Sequence, residues 1–151
     1  MIVMAVLSIA IAVIFYAFTA SMRIFTDEMS ESGSSIEMHR AMERMTRELR
    51  ESRQITSANS TSITFWYQDL NGNGTRDANE TVKYTWTGTT EGYVNRTVQS
   101  STLEVASGIR GFTLTYNDPA PANIKLIKIF ITALNGKSVS TLESSVKSRN
   151  L

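Results

Sequence analysis

The sequence predicts an α+β fold, in which a long N-terminal helix packs on an antiparallel β-sheet. Three observations carry this. Residues 1–22, MIVMAVLSIAIAVIFYAFTASM, contain no charge. Residues 35–53 place apolar side chains at helical spacing, and beyond Ile55 the chain becomes β-branched and aromatic, with runs separated by Gly, Asn, Asp and Pro. The predicted organisation is a transmembrane or filament-core helix over 1–22, an amphipathic helix over 23–55 with a Gly/Ser break near 32–35, and a sheet domain over 56–151.

The first segment is long enough to matter. At about 1.5 Å rise per residue it spans roughly 33 Å as a helix, enough to cross a hydrocarbon core of about 30 Å. A secretory signal peptide would begin with a basic region, and here no Lys or Arg precedes the apolar run. Ser8 and Ala12 stand four apart, as do Ala17 and Ser21, with Ala5 just before Ser8. Small residues at that spacing let helices approach closely, while a plain lipid-facing anchor would also tolerate them.

The amphipathic part follows a cluster, Ser32-Gly33-Ser34-Ser35, expected to loosen the helix because Gly costs about 1 kcal/mol relative to Ala in a helix interior. Ser35 is the expected N-cap of the resumed helix. Met38, Met42, Met45 and Leu49 then form one apolar stripe expected to cover the sheet. Arg40, Glu43, Arg44, Arg47, Glu48, Arg50, Glu51 and Arg53 make up the other, solvated face. Expected strands are 62–67, 81–87, 93–98, 102–106, 112–116 and 124–134, with a last one over 139–146. Val82, Tyr84 and Trp86 alternate with polar residues, as a sheet with one buried face requires.

Composition narrows the function. Fifteen basic and 14 acidic residues give a net charge of +1, which is no polyanion signature, so nucleic acid is not an expected partner. With no Cys there are no disulfides, thiol nucleophiles or thiolate metal sites. His39, the single histidine, has no second His nearby and reads as neither ligand nor general base. No phosphate loop or nucleophile elbow occurs, and the chain is not expected to be an enzyme. Four N-x-[ST] acceptor patterns, at Asn59, Asn73, Asn79 and Asn95, are too common in a Ser/Thr-rich chain to carry an argument.

One segment carries possible site chemistry. Residues 69–80, DLNGNGTRDANE, match D-x-[DN]-x-[DN]-G followed by five residues and Glu. Calcium takes six to eight hard oxygens, so Asp69, Asn71, Asn73, the carbonyl of Thr75, Asp77 (directly or through water) and a two-oxygen Glu80 would wrap one ion. The flanks read as strands, so the ion would stiffen a hairpin and would not open a helix pair. The competing reading is a long Asn-Gly hairpin whose side chains bond their own backbone.

The whole layout resembles the type IV pilin-like proteins. MIVMAVLSIAIAVIFYAF is similar to the family's N-terminal segment, and ITFWYQDLNGNGTRDANETVKYTW, LEVASGIRGFTLTY and the final TLESSVKSRNL are similar to minor pilins and minor pseudopilins of type II secretion. Aligned so, the chain lacks about six leading residues. The family's assembly Glu, cleavage site and methylated first residue would then lie upstream of Met1, and Tyr16 stands where the family has a helix-bending Pro.

The resemblance implies a pilus or pseudopilus subunit that waits in the cytoplasmic membrane with its sheet outside the cytoplasm. Lipid would be its first partner, and other pilin or pseudopilin subunits would replace it in a helical filament. The alternative is a single-pass, membrane-anchored, calcium-dependent binding domain that does not polymerise. Partner specificity is expected on the loops 93–101 and 118–123, the second stiffened by Pro119 and Pro121.

Overall fold

The computed structural model describes residues 2–89, 92–135 and 138–149, with side chains throughout except at 2, 4–6, 8, 27–34, 134, 135 and 138. Helix α1 (Ile2–Glu51) is one element of 50 residues, about 75 Å long at the usual rise of about 1.5 Å per residue. The break expected near 32–35, with Ser35 as a new N-cap, is therefore corrected. Starting a helix is the costly step, whereas carrying an existing one through Gly33 costs only about 1 kcal/mol. No proline precedes Pro119, so nothing removes a helical donor.

The helix ends on a built cap. Ser52 returns its hydroxyl to the Leu49 carbonyl at 2.7 Å, and the Arg149 N–H donates to the Arg50 carbonyl at 3.1 Å. Ser148 donates to the Ser52 carbonyl at 3.0 Å. The C-terminal chain thus satisfies carbonyls that a helix end leaves without intrahelical partners.

Seven strands follow in a single antiparallel sheet whose spatial order is the chain order: β1 (Gln54–Asn59), β2 (Ser62–Trp66), β3 (Thr81–Trp86), β4 (Gly92–Val98), β5 (Ser101–Tyr116), β6 (Leu126–Asn135) and β7 (Ser138–Lys147). The helix lies on β5, β6 and β7. At the other edge the sheet curls, as right-twisted strands favour. The turn between β1 and β2 reaches back across two strands, so that Ser60 accepts from the Leu114 N–H at 2.8 Å and Asn59 accepts from the Tyr116 hydroxyl at 2.7 Å.

Three expected boundaries change. The runs 102–106 and 112–116 belong to one strand, β5, because Gly108 (φ +64°) and slips in register against both neighbours place bulges where turns were expected. The run 124–134 begins at Leu126, after a 3-10 turn Pro121–Asn123. Strand β1 was absent from the expectation: QITSAN is polar, with only Ile55 buried among its six residues, as suits a short edge strand.

The core lies between α1 and the concave sheet. Met38, Met42, Met45 and Leu49 are buried there with Ile63, Phe65, Val82, Tyr84, Phe112 and the β6 isoleucines 127, 129 and 131. Phe65 stacks on Tyr84 with ring centroids 6.2 Å apart.

One member of the expected solvated face is instead inside. Glu48, adjacent to Leu49, is only 4% exposed. It accepts from the Tyr84 hydroxyl at 2.9 Å, from Arg96 Nε at 2.9 and 3.1 Å and from Arg44 Nε at 3.2 Å. Burial, and after it the charge of Glu48 and its hydrogen bond, push the Tyr84 hydroxyl well above its ordinary range, and burial does the same at Tyr116. Both hydroxyls are therefore fixed donors at any physiological pH. A second tie joins Glu37 to Ser107 of β5, whose hydroxyl donates at 2.6 Å.

Candidate functional site

Two features outside the core carry functional chemistry: the N-terminal half of α1 and the loop between β2 and β3. In the first, residues Ile9–Thr26 have a mean hydropathy of 1.8, and none of that stretch is buried. Phe15 is 68% and Tyr16 77% exposed. One apolar helix near the N-terminus could thus span a membrane.

Its hydroxyls suit that surrounding. Thr19 donates to the Tyr16 carbonyl at 2.9 Å, and Thr26 to the Met22 and Arg23 carbonyls at 3.0 and 2.9 Å. Neither hydroxyl needs water. Ala12, Ala17 and Ser21 are exposed, leaving backbone open to close approach. The side chains of Ala5 and Ser8 lie outside the described residues.

The loop 69–80 is pinned to the C-terminal end of α1. Glu51 accepts from the Tyr67 hydroxyl at 2.8 Å and the Gln68 amide at 3.1 Å, and Arg53 lies over the Trp66 ring at 5.3 Å while reaching Asp69 at 3.4 Å. Those contacts hold the entry to the loop. Its exit is the 3-10 turn Ala78–Glu80, which carries Glu80 back under the loop, where it is 1% exposed.

Within the loop the expected residues converge. Asp69 Oδ2 accepts from the Gly74 N–H at 3.0 Å, across a backbone with φ +70° at Gly74 that favours glycine. Asn71 Oδ1 accepts from the Asn73 N–H at 3.0 Å, and Asn73 Oδ1 from the Thr75 N–H at 2.7 Å. Glu80 spans the base: Oε1 accepts from the Leu70 N–H at 2.7 Å, and Oε2 from Trp66 Nε1 at 3.2 Å and the Asp77 N–H at 3.3 Å. Asp77 Oδ2 receives the side-chain amides of Asn71 and Asn73 at 2.7 and 3.1 Å.

This arrangement meets a cation's needs in part. Asp69 Oδ1 is buried without a hydrogen-bond partner on a side chain only 6% exposed, and an unpaired carboxylate oxygen there is costly unless a positive group meets it. The Asn71 and Asn73 amides, however, present nitrogen to Asp77, so each must turn before its oxygen faces an ion. Among the described residues no three Asp, Glu or His side chains converge as a metal cluster. An ion in this loop would be held largely by amide and carbonyl oxygens around Asp69, which suits calcium more than a transition metal.

Three groups that organise the site escaped the sequence reading: Glu51, Arg53 and Trp66. Glu51 and Arg53 stand 16 or 17 residues before their partners Tyr67, Gln68 and Asp69 and meet them only where the chain leaving β2 passes the helix end, while Trp66 reaches Glu80 because β2 pairs with β3. The loop 93–101, expected to be a partner surface, is mostly strand β4, leaving Gln99 and Ser100 as its turn. His39 bonds the Ser35 carbonyl at 2.9 Å, away from both features.

No protein-family model matches this chain, and no curated protein matches its sequence.

Proposed function

We propose that the protein is a structural subunit of a type IV pilus or pseudopilus, held in the cytoplasmic membrane by α1 and drawn from it into a helical filament. The observation that supports this reading most is the division of one continuous helix. Its C-terminal half is sealed onto a sheet by Met38, Met42, Met45 and Leu49, while its N-terminal half presents bare apolar side chains to its surroundings. A helix built so can exchange lipid for neighbouring helices without disturbing its own domain, because hydrocarbon and apolar side chains are equivalent surroundings and close packing decides between them.

The experiment is a cross-linking ladder in the native host. Because the chain has no Cys, the variant Ile11→Cys with Phe18→Cys places two thiols on the exposed stripe and nowhere else. Oxidation is expected to give bands at successive multiples of the 16.8 kDa chain. Monomer alone, with the protein in the membrane fraction, would instead favour an anchored domain that never polymerises.

Calcium is proposed as the ion that completes the loop between β2 and β3, with Asp69, Asn71, Asn73, Thr75, Asp77 and Glu80 as its oxygen donors. It would neutralise the unpaired Asp69 oxygen and stiffen the hairpin. Calorimetric titration of the full chain in uncharged detergent is expected to show saturable heat, absent from Asp69→Asn and from Asp69→Ala with Glu80→Ala. At a hundredfold excess of calcium over its dissociation constant the folded state gains about 2.7 kcal/mol, seen as a raised thermal midpoint. Equal midpoints with calcium and with a chelator would reduce the loop to a self-bonded hairpin.

A further inference from the structure

We propose that the outer face of the sheet holds a binding groove for a sugar carrying a sulfate or phosphate monoester. The groove has a volume of about 400 Å³ and is lined by Thr56, Thr64, Thr81, Lys83, Thr97 and Gln99, with Arg76 and Ala78 closing it from the loop. It lies on the side of the sheet away from α1: Thr64, Lys83 and Thr97 are register partners on β2, β3 and β4, whereas the residues flanking Lys83, Val82 and Tyr84, point into the core.

The lining has one sign of charge. Arg76 and Lys83 are its only ionisable residues, both exposed, and neither joins an ion pair among the described residues. Of the nearby carboxylates, Glu80 and Asp77 are hydrogen-bonded inside the loop, while Glu104 is exposed on the same outer face but outside the lining, opposite Asn95 and two residues along β4 from Thr97. Two cations in a concavity with no acid attract a compact dianion or monoanion, and an Arg guanidinium suits the oxygens of a sulfate or phosphate.

The remainder of the lining is hydroxyl and amide. The Thr56 and Thr81 hydroxyls donate to the Thr64 and Asp77 carbonyls at 3.0 Å and Thr97 pairs with Thr102 at 3.0 Å, so these three meet the hydroxyls of a sugar ring chiefly as acceptors, while Thr64 and the Gln99 amide both donate and accept. No aromatic side chain lines the groove, so recognition rests on charge and hydrogen bonds in place of ring stacking.

Gln99 adds an independent sign. It is the only non-glycine among the described residues with positive φ, at +55°, in the two-residue turn joining β4 to β5. Glycine or asparagine fills such a position without strain, so the glutamine there carries a conformational cost while placing its side chain at the groove. The inference stands apart from filament assembly, since none of these residues belongs to α1.

The test follows backbone amide shifts of the isotope-labelled full chain in an uncharged, sugar-free detergent, during separate titrations with glucose 6-sulfate, glucose 6-phosphate and inorganic sulfate. Saturable shifts at Thr64, Lys83, Thr97 and Gln99 are expected with either sugar ester, with weaker binding of inorganic sulfate. Arg76→Gln and Lys83→Gln are each expected to weaken ester binding about tenfold, while Lys128→Gln, on β6, leaves it unchanged. Gln99→Gly is expected to raise the thermal midpoint and yet weaken ester binding. The proposal is overturned by an absence of saturable shifts, by ester binding that survives both cation substitutions, or by inorganic sulfate binding as tightly as the esters, which would mean an adventitious ion only.

Discussion

Glu48→Ala lowers the unfolding free energy by about 3 to 5 kcal/mol, the usual cost of removing one partner from a buried ion pair. The size comes from what remains behind. Arg96, whose side chain is only 16% exposed, loses its counter-charge, and the Tyr84 hydroxyl, fixed as a donor at physiological pH, loses its acceptor. Arg44, 36% exposed, is already partly solvated and adds little. Urea unfolding of the full chain in uncharged detergent, followed by near-ultraviolet circular dichroism from the sheet aromatics, measures it.

Glu48→Leu combined with Arg96→Met is expected to recover much of the loss, because replacing both charges removes the stranded one. A cost below about 1 kcal/mol for Glu48→Ala would mean that water reaches the pair, as at ordinary surface ion pairs.

Ile14→Lys releases the protein from the membrane while leaving the sheet intact. A Lys at the centre of a spanning helix costs about 2.5 to 3.5 kcal/mol. Ile14 lies between the midpoints of the charge-free run 1–22 and of the 9–26 window, 69% exposed and far along the helix from the first core residue, Met38. Alkaline extraction of membranes is expected to move the variant from pellet to supernatant, with an unchanged unfolding midpoint for the sheet. A variant that stays in the pellet would show that the segment does not cross the bilayer there, and would remove the anchor on which the filament reading depends.

The two predictions mark how differently the halves of the chain can be read. The apolar N-terminal segment is legible because a run of 22 uncharged residues is a local property, measurable by length and hydropathy without knowing the fold. Glu48 is not legible in that way. Its neighbours Arg44 and Arg47 place it with the charged side of the helix, and its burial depends on β3 and β4 curling around to bring Tyr84 and Arg96 to it from 36 and 48 residues away.

The same contrast runs through the loop. The pattern DLNGNG, followed by five residues and then Glu80, identified the segment and the turn at Gly74, because those bonds close within a dozen residues. The tie to Glu51 and Arg53 and the unpaired oxygen of Asp69 depend on where the helix end falls against β2. Strand β1 was missed for a related reason: a polar edge strand with one buried isoleucine carries almost no periodic signal, and only pairing with β2 makes it a strand.

By itself, then, the sequence determined an α+β chain with a charge-free N-terminal helix, a Met/Leu stripe at helical spacing, a run of alternating strands and an Asn/Gly-rich loop, all features set by the local periods of side-chain placement. Only the tertiary structure decided that the helix passes Gly33 unbroken, that 102–116 is one bulged strand, that Glu48 is a buried clamp, and that Arg76, Lys83 and Gln99 share one groove. The physical reason is that pairing register and sheet curl place residues distant in sequence side by side, and no local pattern encodes which strands will meet.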